Sequence, residues 1–147
     1  MIRTGPALTA LLAAIALQAL PVTAQQPAEP ERPVVMICAL EEEGVTGWVP
    51  AVVVVTRQAN GRIEVFDPIL QAYVGRPIKA VVTADDRRKR SYGWALGNVK
   101  NAAGQRAERV DFRLTLNKAD STATITVQAK DYDNLITGKG VCGSPSQ

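Results

Sequence analysis

The chain contains no histidine, and that one gap closes off a wide range of chemistry. Without an imidazole there is no Ser-His-Asp triad, no Cys-His pair and no imidazole metal site. Two cysteines cannot complete a four-thiolate zinc site or hold an iron–sulfur cluster. A Gly-rich phosphate loop is also missing, because Gly138 and Gly140 neither follow a predicted strand nor open a helix. The serines at 91, 121, 144 and 146 sit in strand, turn or tail contexts without a nucleophile-elbow motif. At 147 residues the chain is long enough for one compact domain and too short for a two-domain cofactor enzyme. These gaps point to a non-enzymatic protein with no cofactor and no metal.

What is present begins with an export signal. Arg3 gives a short positive start, and residues 7–20 form an uncharged run rich in leucine and alanine. Pro21 then breaks the run, and Val22-Thr23-Ala24 places a small residue before Gln25. This three-part layout predicts a signal peptide over 1–24, cleaved after Ala24. The apolar run is shorter than the roughly 20 residues needed to span a bilayer, which argues against a membrane anchor. The predicted location is therefore periplasmic or secreted, with no transmembrane segment in the mature chain. Arg3 is the only charge in the signal, so the net charge of +3 falls by one on cleavage. A nearly balanced chain lacks the concentrated basic stripe of a nucleic-acid binder.

Cys38 and Cys142 lie at opposite ends of the predicted mature chain. An even count in an exported protein reads as a disulfide, and the alternative of a redox pair would place the two close together as C-x-x-C. A Cys38–Cys142 bridge would make the first and last parts of the fold neighbours.

Residues 25–33 are rich in Pro, Gln and Glu and read as a disordered leader, which leaves 34–147 as a single domain. Strands are predicted at 34–40, 48–56, 62–66, 78–84, 90–96, 109–117 and 121–129. The four valines at 52–55 favour a strand through their branched side chains. Asn60-Gly61 supplies a hairpin turn. From Arg109 to Ala129 apolar and polar residues alternate cleanly: Val110, Phe112, Leu114 and Leu116, then Ala123, Ile125, Val127 and Ala129, share one face. Asp67-Pro68 is a capped helix start, predicting about two turns over 68–74 before Gly75. The tail from Asp131 reads as a loop. About seven antiparallel strands in a meander, with one short helix, predict a mainly β domain: a small barrel or a β-sandwich.

Few residues stand out as sites. Arg87, Arg88, Lys89 and Arg90 follow Asp85-Asp86 between two predicted strands. They read as a solvated hairpin turn, or alternatively as a cationic patch for an anionic partner. Trp48 follows Gly47 at a strand start and is expected to be partly exposed, where it could serve recognition. Glu41-Glu42-Glu43 and Asp131-Tyr132-Asp133-Asn134 read as solvated loop charge. Tyr92, Trp94 and Phe112 fall on core-facing positions. The expected function is an exported envelope module that binds a protein or an anionic glycan or lipid through surface loops. The alternatives are a carrier of a small apolar ligand inside a barrel and, behind it, a histidine-independent hydrolase.

Overall fold

A computed structural model describes residues 31–145; the predicted signal peptide and residues 25–30 of the leader lie outside the described residues. Eight strands run β1 (Val34–Glu42), β2 (Val52–Arg57), β3 (Ile63–Phe66), β4 (Ile78–Asp85), β5 (Lys89–Lys100), β6 (Arg106–Asn117), β7 (Thr122–Ala129) and β8 (Ile136–Gly143). Each pairs antiparallel with its neighbours in sequence, and β8 returns to β1, so the sheet closes into a barrel. The predicted short helix is α1 (Pro68–Tyr73), between β3 and β4. Asp67 caps it, accepting a 2.8 Å bond from the Leu70 backbone N–H, and Gly75 follows its end at φ +74°.

The period-two pattern decides which side chains go inside. In β2, Val53 and Val55 are buried while Val52 faces out. In β6 and β7 the predicted inward set, from Val110 to Leu114 and from Ala123 to Ala129, is buried. Trp94 and Phe112 stack across β5 and β6 with ring centroids 5.4 Å apart. The middle of the barrel is filled by these side chains, as expected when eight strands close on one another.

The tail corrects the sequence reading. It forms β8, the strand that closes the barrel, and not a loop. Its sequence, Ile-Thr-Gly-Lys-Gly-Val-Cys-Gly, carries too few apolar side chains to show an alternating signal. The glycines are there because the backbones approach closely. A Cβ on Gly140 would lie 1.8 Å from the Ala39 carbonyl oxygen, and one on Gly138 would lie 2.7 Å from Val49 Cγ1. Cys38 and Cys142 stand directly opposite one another in the β1–β8 register and are joined by the disulfide.

The two ends of the barrel differ. At the lower end, the long 43–51 loop folds back over the interior and is held by the Glu42 carboxylate. That carboxylate accepts hydrogen bonds from the backbone N–H groups of Thr46, Gly47 and Val49 and from the Thr46 hydroxyl. Burial pushes the Glu42 pKa up, but these bonds outweigh it and hold the carboxyl below its usual value. The Asn101 side chain ties the same loop to the β5–β6 turn, donating to the Thr46 carbonyl at 2.6 Å. Trp48 is consequently driven inside, 1% exposed, with its ring edge-on to Tyr132. The expectation of a partly exposed recognition tryptophan is therefore overturned: Trp48 is the plug of the closed end.

Reduction of the disulfide, which spans 104 residues, should lower unfolding stability by about 2–5 kcal/mol, read as a shift in denaturant midpoint. Gly140→Ala should destabilise on the order of 3 kcal/mol or more, because its Cβ meets a backbone oxygen that no rotamer change can move. A wild-type midpoint in Gly140→Ala would contradict the tight seam.

Candidate functional site at the open end of the barrel

The upper end is shaped by short turns that hold themselves up. In the β2–β3 hairpin Gly61 takes φ +81° and its N–H donates to the Gln58 carbonyl. In the β4–β5 turn Asp86 Oδ1 accepts from the backbone N–H groups of Arg88 and Lys89, at 2.7 and 2.8 Å. In the β6–β7 turn Asp120 Oδ1 accepts from the Thr122 N–H. Turns satisfied by their own side chains have no need to fold inward. They leave a cavity of about 470 Å³ at this end, whose lining includes Met36, Val55, Ile63, Tyr92 and Leu116. Cys142 is also at its wall, so the β1–β8 seam forms part of the mouth.

Two cations belong to this mouth. Arg57 continues the inward phase of Val53 and Val55 at the end of β2, and among the described residues it makes no ion pair. Arg90 continues the phase of Tyr92 and Trp94 at the start of β5, opposite Leu116. Its Nη2 donates to Asp85 Oδ2 at 2.7 Å, while Lys118 Nζ holds Asp85 Oδ1 at 2.5 Å. Hydrogen bonds from Arg90 and Lys118 hold the Asp85 carboxyl down at about 2. Asp85 and then the Tyr92 hydroxyl push the Arg90 pKa up, so the guanidinium is a permanent charge. The Arg90 Nε is buried and, among the described residues, has no hydrogen-bond partner of good geometry, the Tyr92 hydroxyl being the polar group beside the guanidinium.

The basic run is thus divided. Arg90 turns to the mouth, while Arg87, Arg88 and Lys89 are exposed at the β4–β5 turn and make no ion pair among the described residues. The acidic run divides as well: Glu42 is the structural anchor of the lower loop, and Glu43 pairs with Lys139 outside the barrel. Arg57 was not singled out from the sequence. Its signal was there, as a charge continuing an apolar alternation at a strand end.

A second, larger depression of about 900 Å³ lies on the outer wall over β4 to β7. Its floor includes Gly93 and Ala95, and its sides carry Thr115, Thr124, Thr126 and Arg113. It is the solvated outer face of the sheet. The mouth lies inside the end of the barrel and sets apolar side chains (Met36, Val55, Ile63, Leu116) beside the polar groups of Arg57, Arg90, Ser121 and Ser144, a combination that ligand sites use. No family model, curated protein or solved structure matches this chain.

Asp85 should titrate near pH 2 by carboxyl NMR. Its folded value lies below the unfolded one, near 3.9. The stability it lends is therefore present above about pH 4 and is lost as pH falls through 2. An ordinary carboxylate value near 4 would show that Asp85 does not hold Arg90.

Proposed function

We propose that this chain is an exported, non-enzymatic binding module that takes a small apolar ligand at the open end of its barrel. The observation that carries the reading is the cavity of about 470 Å³ at one end of an otherwise filled barrel, with Met36, Val55, Ile63 and Leu116 in its wall. That volume lies within the roughly 300–1,000 Å³ of small-molecule sites. The packed interior limits the ligand to the mouth, so the site is a shallow cup and not a through-channel. Export is supported by the signal-like segment at 1–24 and is compatible with the disulfide. No helix among the described residues is long and apolar enough to cross a membrane. The non-enzymatic part rests on the missing histidine and on Ser91, whose hydroxyl is hydrogen-bonded to that of Thr115 at 2.8 Å and not to a base.

A fluorescent apolar probe such as N-phenyl-1-naphthylamine should bind the purified protein and be displaced by apolar competitors. Leu116→Trp, which fills the mouth, should weaken it by about tenfold or more with the fold retained by circular dichroism. Absence of probe binding, or binding indifferent to Leu116→Trp, would remove the reading.

A second reading keeps recognition at the surface, by an envelope protein or an anionic glycan or lipid. It is favoured by Arg87, Arg88 and Lys89, three exposed cations at one turn without ion pairs among the described residues. Reversal of all three to Glu should abolish capture of anionic envelope material in a salt-sensitive pull-down, leaving probe binding at the mouth intact. Unchanged capture would discard the turn as a contact.

A further inference from the structure

We propose that the ligand of the mouth is a single-chain amphiphile ending in an oxyanion, with its apolar chain in the cup and its head group held by Arg90 and Arg57. This rests on the reading of the mouth as a binding site and adds the chemistry of what binds there.

The first ground is the charge of the lining. Arg57 and Arg90 both line the cavity, and among the described residues no Asp or Glu does. Asp85, the carboxylate that meets Arg90, is itself shared with Lys118, so this cluster of two bases and one acid keeps a net positive charge beside the mouth. A cationic ligand would be repelled, and a neutral one would leave the charge uncompensated.

The second ground is an unmade hydrogen bond. Arg90 Nη2 is committed to Asp85, whereas its buried Nε makes no hydrogen bond of good geometry among the described residues. A buried N–H of a charged group is costly to leave unpaired, and an oxyanion is the strongest acceptor that could satisfy it. The guanidinium fork suits carboxylate and phosphate oxygens alike.

The third ground is placement. Arg57 and Arg90 are the terminal members of inward-facing series whose deeper members are apolar: Val53 and Val55 in β2, Tyr92 and Trp94 in β5. Charge at the rim and apolar surface below it match a molecule with one charged end and one apolar chain. The Ser121 and Ser144 residues on the same rim place hydroxyl groups beside the head group.

Isothermal titration of the full chain with decanoate, decyl phosphate and decanol tests this. At least one of the two anions should bind about tenfold tighter than the alcohol, and the preference should shrink with added salt. Whichever anion is favoured assigns the head group to a carboxylate or a phosphate. Arg57→Gln lies at an exposed strand end and should lower anion affinity without altering thermal stability. Arg90→Met, with Lys118 left to hold Asp85, should lower it further, and the double variant should bind anion and alcohol equally. Anion binding should fall by a larger factor than decanol binding in every variant. Wild-type protein that binds decanol as tightly as both anions, or a double variant that keeps the anion preference, would overturn this proposal while leaving the apolar site standing. Failure of all three ligands to bind would overturn the apolar site and this proposal together.

Discussion

The structure depends on the pairing of its first strand with its last. Seven strands in a meander would leave two edges, each with a row of unpaired backbone donors and acceptors. Pairing β8 with β1 removes both edges and encloses the apolar faces of the other strands. Two local features secure that pairing. Gly138 and Gly140 let the β8 backbone approach its neighbours where a Cβ would collide, and the Cys38–Cys142 bridge ties opposing residues of the two strands. Nearly the whole of the described chain lies between the bridged cysteines, so the constraint on the unfolded state is large.

Closure creates two ends, and the turn lengths make them unequal. The lower end receives the 43–51 loop and helix α1, which bring Trp48 and Leu70 into the core. A half-buried carboxylate, Glu42, can stand there because backbone donors surround it. Among the described residues, the upper end receives tight turns braced by their own polar groups, together with the short segments 31–33 and 144–145. Space is left at this end, and among the described residues the charged side chains that line it are Arg57 and Arg90.

The division of the four-residue basic run illustrates how the fold assigns roles. Arg87 and Arg88 sit in the turn and Lys89 at the outward-facing start of β5, and all three meet water. Arg90 is the first β5 residue in the phase of Tyr92 and Trp94, so the pleat turns it toward the mouth. Asp85 lies opposite it in the β4–β5 register and holds one nitrogen of its guanidinium, leaving another free. One residue of displacement along the strand separates a solvated charge from a buried donor.

Alternation was enough to read β6 and β7 from the amino-acid order, because each places residues on two chemically distinct faces, while β2 was read from its run of branched valines. The capped start of α1 at Asp67-Pro68 and the Asn60-Gly61 turn were legible for the same reason: their backbone needs are met by the residues themselves. The disulfide followed from the even cysteine count and the wide spacing of the two cysteines. β8 was not legible, since its glycines are explained only by the backbone of a strand about a hundred residues away. Trp48 was misplaced because the hydrogen bonds that turn its loop inward come from Glu42 and Asn101, partners that local sequence does not reveal. The sequence by itself determined the first seven strands, the inward faces of β6 and β7 and the cysteine pair, all of which follow from short-range periodicity and composition. The tertiary structure alone decided which end of the barrel is plugged, which is open, and that Arg57 and Arg90 share the opening. These depend on contacts between residues far apart in the chain, made when the sheet closes.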